Sequence, residues 1–160
     1  MRIVSGSLYH IKDDFFDLIN DKELMINHEN GHSRPSYLAI EDGKILWFVP
    51  LSTQISKYEK IINQKMHKYG RCQTIIIEKI NGKKQAILIQ NAFPTISKYI
   101  SSQHKVGNKI LKVPITVQKT ILKNFSDVMS IHNRGINIFF PNIDRIKNIM
   151  LEELKKDSEN

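Results

Sequence analysis

An apolar segment that runs directly into an amphipathic one, over residues 45–69, constrains the fold of this chain more than any other feature. Residues 45–51 are almost all apolar, as in a strand buried on both faces. Ser52 and Thr53 follow at once, so two hydroxyl side chains come at the end of that strand. From Ile55 onward the apolar residues recur at three- and four-residue spacing, which predicts a helix ending near Gly70.

The predicted helix has a cationic face opposite its apolar one. Lys57, Lys60 and Lys68 lie on that face, which begins one turn after the two hydroxyls. Hydroxyl donors beside several lysines form a suitable place to bind a phosphodiester.

Turn signals divide the rest of the chain into strands and helices. Asp42-Gly43 and Asn81-Gly82 are strong hairpin signals, each between two apolar runs. Strands are predicted over 1–11, 36–41, 45–51, 73–80, 85–90 and 109–113, and helices after Asp13, over 55–69, 93–100, 114–135 and from 143. Residues 27–33 are predicted to form a loop, and residues 136–140 a short strand or extended segment.

These elements do not alternate as βαβ units, so the pattern predicts an α+β fold with a compact antiparallel, barrel-like sheet flanked by helices. A length of 160 residues fits one domain, which we place at residues 1–156, followed by a polar tail at 157–160.

The positive charge is concentrated in the middle of the chain. The formal net charge is +8, but residues 52–124 hold 14 Lys and Arg against only Glu59 and Glu78, a surplus of +12, while the remainder carries −4. Such a block is typical of a phosphate-binding surface. A solvated lysine-rich surface without a partner is the alternative explanation.

Several function classes are disfavoured. The single cysteine, Cys72, cannot form an intramolecular disulfide or a cysteine-based zinc cluster, and the six histidines lack ligand spacing, so we expect no metal site and no cofactor. There is no Gly-rich phosphate loop and no GxSxG motif. No signal-peptide pattern and no membrane-length apolar run occur, which favours a cytoplasmic protein without membrane contact.

The remaining chemistry suits cleavage of RNA without a metal. In that reaction the 2′-hydroxyl attacks its own phosphorus, so the protein must orient the attack, stabilise the phosphorane charge and move protons. Ser52 and Thr53 could bind the phosphate or position a proton donor, and Lys57 or Arg34 could stabilise negative charge. The structural alternatives are a strand-end turn or helix cap for the hydroxyls and solvated cations for the other two.

Further side chains are candidates for contact with RNA, through base stacking, proton transfer or phosphate binding. A tyrosine on a strand is more often half-buried core than a stacking surface. The predicted RNA-binding residues are Tyr9, His10, Lys12, Tyr37, Lys60, Lys68, Lys119 and Lys123.

The segment Val49–Thr53 followed by Lys57 resembles the toxins of type III toxin–antitoxin systems, the ToxN and AbiQ group, and most closely their CptN-like branch. Those proteins carry a Pro-Leu-Ser/Thr-Ser/Thr element with a lysine shortly after it. Four more segments support the resemblance in the expected order along the chain: Leu8–Ile11, Arg34–Tyr37, Ile89–Pro94 and Arg134–Ile136.

The resemblance implies a metal-independent endoribonuclease with an antiparallel-sheet fold similar to the Kid and MazF toxins. It also implies inhibition by a small pseudoknot antitoxin RNA, cut from a repeat transcript by the toxin itself, in a multimeric protein–RNA assembly. Ser52 and Thr53 would be the hydroxyl pair, and Lys57 the active-site lysine, with Lys60 as the alternative for that role. Arg34 would be the basic residue before the first hairpin.

Two other classes remain open at this point. A non-catalytic RNA-binding module would use the basic segment equally well, and would bind RNA without cleaving it. A DNA-binding or polyanion-binding structural protein would bind its ligand equally well with or without a 2′-hydroxyl.

Overall fold

A long hairpin joined at Asp42-Gly43 forms the centre of the sheet. In the computed structural model, which describes residues 2–159, β4 (Pro35–Asp42) pairs with β5 (Ile45–Ser52), from Ser36 opposite Pro50 to Asp42 opposite Ile45. Every residue of β5 is buried. The side chains of this strand are buried on both faces of the sheet, which explains its apolar sequence.

The other edge of β5 is shared by two strands. The first half of β5 pairs with β8 (Phe93–Thr95), and its end pairs with β7 (Lys83–Leu88). Three more strands complete the antiparallel sheet, in the order β6-β7-β5-β4-β1-β9: β1 (Leu8–Ile11), β6 (Ile75–Ile80) and β9 (Ile100–Gln103).

The α+β class with an antiparallel sheet flanked by helices is confirmed, but the sheet is not closed. β6 and β9 form its two edges and do not pair with each other. The hairpin predicted at Asn81-Gly82 joins β6 to β7.

Two short hairpins lie outside this sheet. The predicted loop at residues 27–33 contains β2 (His28–Glu29) and β3 (His32–Ser33), joined by Asn30-Gly31. Both turn residues have positive φ, 55° and 81°, which suits a two-residue hairpin turn. The loop prediction was therefore wrong, because Asn30-Gly31 forms a turn that lets the segments on its two sides pair. The second hairpin is β10 (Lys105–Val106) with β11 (Lys109–Ile110).

Four helices match the predicted periodicity: α1 (Asp13–Ile19), α2 (Ile55–Tyr69), α3 (Ile115–Asn133) and α4 (Ile143–Glu159). In α2 only Tyr58 is buried, while Met66 and Tyr69 are 47% and 65% exposed. The apolar face expected for α2 thus packs against the sheet only along its first turns. None of the helices in residues 2–159 is both long and apolar enough to span a membrane.

The predicted helix over residues 93–100 is not observed. Phe93 and Thr95 pair with β5, a single 3-10 turn follows at Ser97–Tyr99, and β9 begins at Ile100. Pairing with the central strand outweighs the local helical spacing here.

Boundary predictions also shift at several places. Met1, the first residue of the predicted opening strand, lies outside the described residues, and within residues 2–159 that strand starts only at Leu8. The strand predicted at 109–113 is reduced to Lys109–Ile110, and residues 136–140 form no strand. Residues 157–159 of the predicted tail continue α4.

The main core lies between the sheet and helices α1, α3 and α4. Helix α3 buries the side chains that its periodicity predicts, among them Ile121 and Phe125. The Phe125 ring lies 6.0 Å from the Trp47 ring on β5 and 6.2 Å from that of Phe139. This packing joins α3 to the face of the sheet at Trp47, near the start of β5.

Candidate active site

The hydroxyl pair lies where β5 ends. Ser52 is the last residue of β5, pairs with Ala86 of β7 and is buried. Thr53 follows in the tight connection to α2, and its carbonyl accepts a hydrogen bond from the backbone N–H of Ile55 (2.9 Å). Because β5 is paired on both edges, the backbone that carries these hydroxyls has a fixed direction.

Glu29, on β2, accepts hydrogen bonds from both hydroxyls and from a guanidinium. Its Oε1 accepts from the Thr53 hydroxyl (2.6 Å) and the Thr53 backbone N–H (3.0 Å). Its Oε2 accepts from the Ser52 hydroxyl (3.0 Å) and from Arg34 Nη1 (2.6 Å). The buried Arg34 also donates to the carbonyl of Leu51 (2.8 Å). Three side chains predicted from the sequence therefore converge on one anion.

These contacts determine the charge of Glu29. Burial alone would raise its pKa, but the hydrogen bonds from Thr53, the charge of Arg34 and the Ser52 hydroxyl together outweigh burial and lower the pKa to about 2. The carboxylate is therefore ionised at neutral pH. A base this weak is poorly suited to take a proton from an alcohol, so the evident role of Glu29 is to hold Arg34, Ser52 and Thr53 in place.

Two histidines form a hydrogen-bonded chain beside this cluster. His10 Nδ1 lies 2.6 Å from Ser33 Oγ, and His10 Nε2 lies 2.8 Å from His104 Nδ1. Burial, followed by the charge of His104, lowers the pKa of His10 despite an opposing contribution from Ser33. Burial also lowers the pKa of His104 below 6.5. Both rings are consequently neutral at pH 7.

The hydroxyl cluster and the histidine chain face one cavity of about 630 Å³. The β6–β7 hairpin contributes Lys83 to its wall, and the β10–β11 hairpin contributes Lys105. The cavity thus offers hydroxyl donors, imidazoles and cations in one open space, a combination that suits a phosphate-containing ligand.

The structure brings together only some of the residues predicted to be functional. Arg34, Ser52, Thr53 and His10 line this cavity. Lys57 is exposed at the start of α2, with its Nζ 5.3 Å from the centre of the Tyr58 ring, and is not part of the wall.

The other predicted RNA-binding residues lie elsewhere. Lys60 and Lys68 are exposed on α2, Lys119 is exposed on α3, and Lys12 immediately precedes α1. Lys123 is exposed and forms an ion pair with Asp127 (3.1 Å).

Tyr9 and Tyr37 belong to the core, with exposed fractions of 0% and 3%. The Tyr9 hydroxyl accepts a hydrogen bond from the backbone N–H of Val4 (2.8 Å). A buried ring offers no face to a nucleic-acid base, so neither tyrosine can stack on RNA.

Three residues of the site were not predicted from the sequence: Glu29, Ser33 and His104. Glu29 and Ser33 lie on the β2–β3 hairpin, which the Asn30-Gly31 pair could have revealed. His104 carries no local signal, because its partner His10 is 94 positions away. Only the pairing of β1 with β9 brings the two histidines together.

Within residues 2–159, no three His, Cys, Asp or Glu side chains are grouped in a way that could hold a metal ion.

No protein-family model and no curated protein sequence matches this chain. Among solved structures, its fold matches that of AbiQ, described as a lactococcal anti-phage endoribonuclease belonging to the type III toxin–antitoxin system. The TM-score is 0.74 over 95% of this chain and 99% of AbiQ, at 10% sequence identity. The two proteins therefore share a fold along nearly their whole length.

A second structure comes from a study of bacterial type III toxin–antitoxin systems, with selective toxin inhibition by a non-coding RNA pseudoknot. It covers 95% of this chain and 77% of that chain at 15% identity, with a TM-score of 0.45. That score is too low to support an argument about this protein.

Proposed function

We propose that this protein is a metal-independent endoribonuclease toxin of the type III class. It would cleave RNA through attack of a 2′-hydroxyl on the adjacent phosphorus, leaving a 2′,3′-cyclic phosphate and a 5′-hydroxyl. The observation that carries the proposal is the convergence of Arg34, Ser52 and Thr53 on one anion, at the wall of an open cavity that also holds two neutral imidazoles.

A carboxylate and a phosphodiester call for similar donors. The donors that now bind Glu29 are a guanidinium, two hydroxyls and a backbone N–H, and such groups stabilise negative charge on phosphate oxygens as well. Each hydroxyl can rotate its proton from Glu29 to a phosphate oxygen without moving the backbone of β5. Arg34 would continue to neutralise the carboxylate during that rotation.

The shared fold with AbiQ supports the class of activity. We extend the proposal to the partners that this class suggests: cellular or phage RNA as substrate, and a small pseudoknot antitoxin RNA that the toxin releases from a repeat transcript and that then inhibits it. Protein and antitoxin would form a multimeric assembly. Exposed lysines of α2 and α3 would contact the RNA backbone.

The hydroxyl pair can be tested by removing one donor at a time. Thr53→Val keeps the branched shape and Ser52→Ala changes the volume little, yet each removes one hydroxyl. We expect each to slow RNA cleavage by about 10²- to 10³-fold, as for loss of one preorganised donor to a developing oxyanion. Single-turnover cleavage in excess EDTA measures the rate.

Thr53→Ser, which retains the hydroxyl, is the matched control and should remain within about tenfold of wild type. Thermal unfolding of each variant separates a lost donor from a lost fold. Folded Thr53→Val protein with wild-type cleavage would contradict the role of this hydroxyl.

The active-site lysine is a separate question. Lys57→Ala and Lys60→Ala are compared with Lys156→Ala, an exposed helical lysine on α4, far along the chain from the cavity. Lys57 lies outside the cavity wall, and its proposed role rests on the resemblance to the toxin family alone. On that ground we expect Lys57→Ala to lose most cleavage activity and Lys156→Ala to retain it. Loss of cleavage activity in Lys60→Ala but not in Lys57→Ala would assign the role to Lys60. Full cleavage activity in both variants would mean that neither α2 lysine takes part in the reaction.

The second candidate function is a non-catalytic RNA-binding module. The surplus of +12 over residues 52–124 favours it as strongly as it favours a nuclease. Tight, salt-dependent RNA binding with intact RNA across varied sequences would identify this function.

A further inference from the structure

The end of the histidine chain is free to act on a ligand. In the chain Ser33–His10–His104, both nitrogens of His10 are engaged and Nδ1 of His104 is engaged. Nε2 of His104 has no hydrogen-bond partner among the described residues, and it is not a buried unsatisfied atom. His104 lines the cavity, and Nε2 is the one imidazole nitrogen of His10 and His104 that these hydrogen bonds leave unengaged.

The backbone holds His104 in this position. Its N–H donates to the carbonyl of Leu8 (2.8 Å), directly after β9 pairs with β1. His10 is held in the same way, because its carbonyl accepts a hydrogen bond from the Ser101 hydroxyl (3.1 Å). Both rings are thus placed by the sheet rather than by a loose loop, as a proton-transfer group requires.

The hydrogen bonds between Ser33, His10 and His104 are compatible with two proton arrangements, and one of them makes His104 a base. If His10 donates through Nδ1 to Ser33, its Nε2 must accept, and His104 then donates through Nδ1. That arrangement leaves a lone pair on Nε2 of His104, a residue of the cavity wall, with both rings neutral. In this arrangement His104 is a base, and the hydrogen bond to His10 holds it in one tautomer.

We propose that His104 is the general base of the RNA cleavage reaction and that His10 is the positioning residue that fixes its tautomer. The inference rests on the endoribonuclease function proposed above. The 2′-hydroxyl gives its proton to Nε2 of His104 while the bond from O2′ to phosphorus forms. The bond from phosphorus to O5′ breaks, and the departing O5′ takes a proton from water.

The test measures single-turnover cleavage against pH in excess EDTA. The other charged or titratable groups at the cavity are Glu29, His32, Arg34, Lys83 and Lys105. For wild type we expect activity to fall as pH drops below 6.5, because protonation removes the lone pair of His104. The lowered pKa of both rings moves this fall below the ordinary histidine value.

His104→Ala should cleave about 10²- to 10⁴-fold more slowly, the usual contribution of a general base, while RNA binding changes by no more than about twofold. Added imidazole should restore part of the rate, because it can occupy the vacated space and accept the proton. His67→Ala, at an exposed position on α2, is the control and should match wild type.

His10→Ala tests the positioning role. It should slow cleavage by about tenfold or more and move the acid limb upward toward 6.5, because His104 becomes more hydrated. A residue that serves only the fold would lower the fraction of active protein without moving the pH profile or responding to imidazole.

The outcomes separate the two proposals. Cleavage by wild type together with full activity of folded His104→Ala would overturn the role of His104 and leave the nuclease function standing. Slow cleavage by His104→Ala with an unchanged acid limb and no imidazole rescue would also overturn it. Absence of cleavage by wild type would overturn the nuclease function, and this inference with it.

Discussion

At the scale of single residues, Glu29 explains how Arg34 and Ser52 can be buried beside the half-buried Thr53. A buried guanidinium needs an anion, and hydroxyls removed from water need an acceptor, and one carboxylate meets both needs. Arg34 and Glu29 are only 7% and 13% exposed at their side chains. The cluster is therefore a part of the fold as well as the proposed site of chemistry.

Glu29→Gln tests this structural role. The pKa of Glu29 is depressed from 4.5 to about 2, so its charge stabilises the fold above pH 4.5, and that stabilisation disappears as pH falls toward 2. We expect the variant to be less stable at pH 7 by on the order of 2–3 kcal/mol. Urea denaturation from pH 7 to pH 2.5 measures the difference.

The difference in the free energy of unfolding between wild type and Glu29→Gln should become smaller below pH 4.5. Parallel stability curves over that range would mean that the carboxylate charge contributes nothing to the fold.

At the scale of elements, the site is assembled from segments that are distant in sequence. The ends of β1, β5 and β9 supply His10, the hydroxyls and His104, while the β2–β3 hairpin adds Glu29 and Ser33. Two lysine-bearing hairpins, β6–β7 and β10–β11, lie at the cavity wall. This arrangement separates cations that face the cavity from those on the outer surface of α2.

These hairpin lysines should contribute to RNA binding by charge. Lys83→Ala and Lys105→Ala should each reduce the slope of log K against log salt concentration by about 0.7–0.9 for single-stranded or duplex RNA segments. Fluorescence anisotropy across salt concentrations measures the slope, with Lys156→Ala as the charge-matched control. Slopes identical to that of the control would place the bound RNA away from the cavity.

Helix α3 supports the sheet behind the site, and its packing gives a test of the fold. Phe125→Ala removes a buried ring that lies against Trp47 and Phe139, and should destabilise the protein by about 3–5 kcal/mol. Leu122 lies on the same helix but is 47% exposed, so Leu122→Ala should change stability by less than about 0.5 kcal/mol. Similar losses in both variants in urea denaturation would contradict this orientation of α3.

Local sequence patterns were sufficient to predict the elements that have a long periodic pattern or a specific turn sequence. Helix α3 and the two hairpins at Asp42-Gly43 and Asn81-Gly82 follow directly from periodicity and turn chemistry. The segment 93–100 was mispredicted because its structure depends on pairing with β5, which no local pattern records.

The same division applies to the site. Ser52 and Thr53 could be singled out because a strand end is visible in sequence. His104 could not, since its contact with His10 depends on the register between β1 and β9.

At the scale of the whole molecule, the basic segment and the cavity have different roles in the proposed function, which are RNA attraction and RNA cleavage. The excess charge over residues 52–124 attracts a polyanion without regard to its sequence, and it accounts for binding only. The cavity holds the groups to which we assign the proposed cleavage reaction. In the proposed function, catalysis rather than affinity therefore depends on the geometry of the cavity.

The most direct measurement is the chemistry of the product ends. Purified protein is incubated in excess EDTA with an end-labelled RNA, and with the same RNA carrying one 2′-deoxy nucleotide immediately 5′ of the cut. We predict a 2′,3′-cyclic phosphate and a 5′-hydroxyl on the products, and no cleavage at the deoxy position. Cleavage that persists at the deoxy position, or products with a 5′-phosphate, would contradict attack by the 2′-hydroxyl.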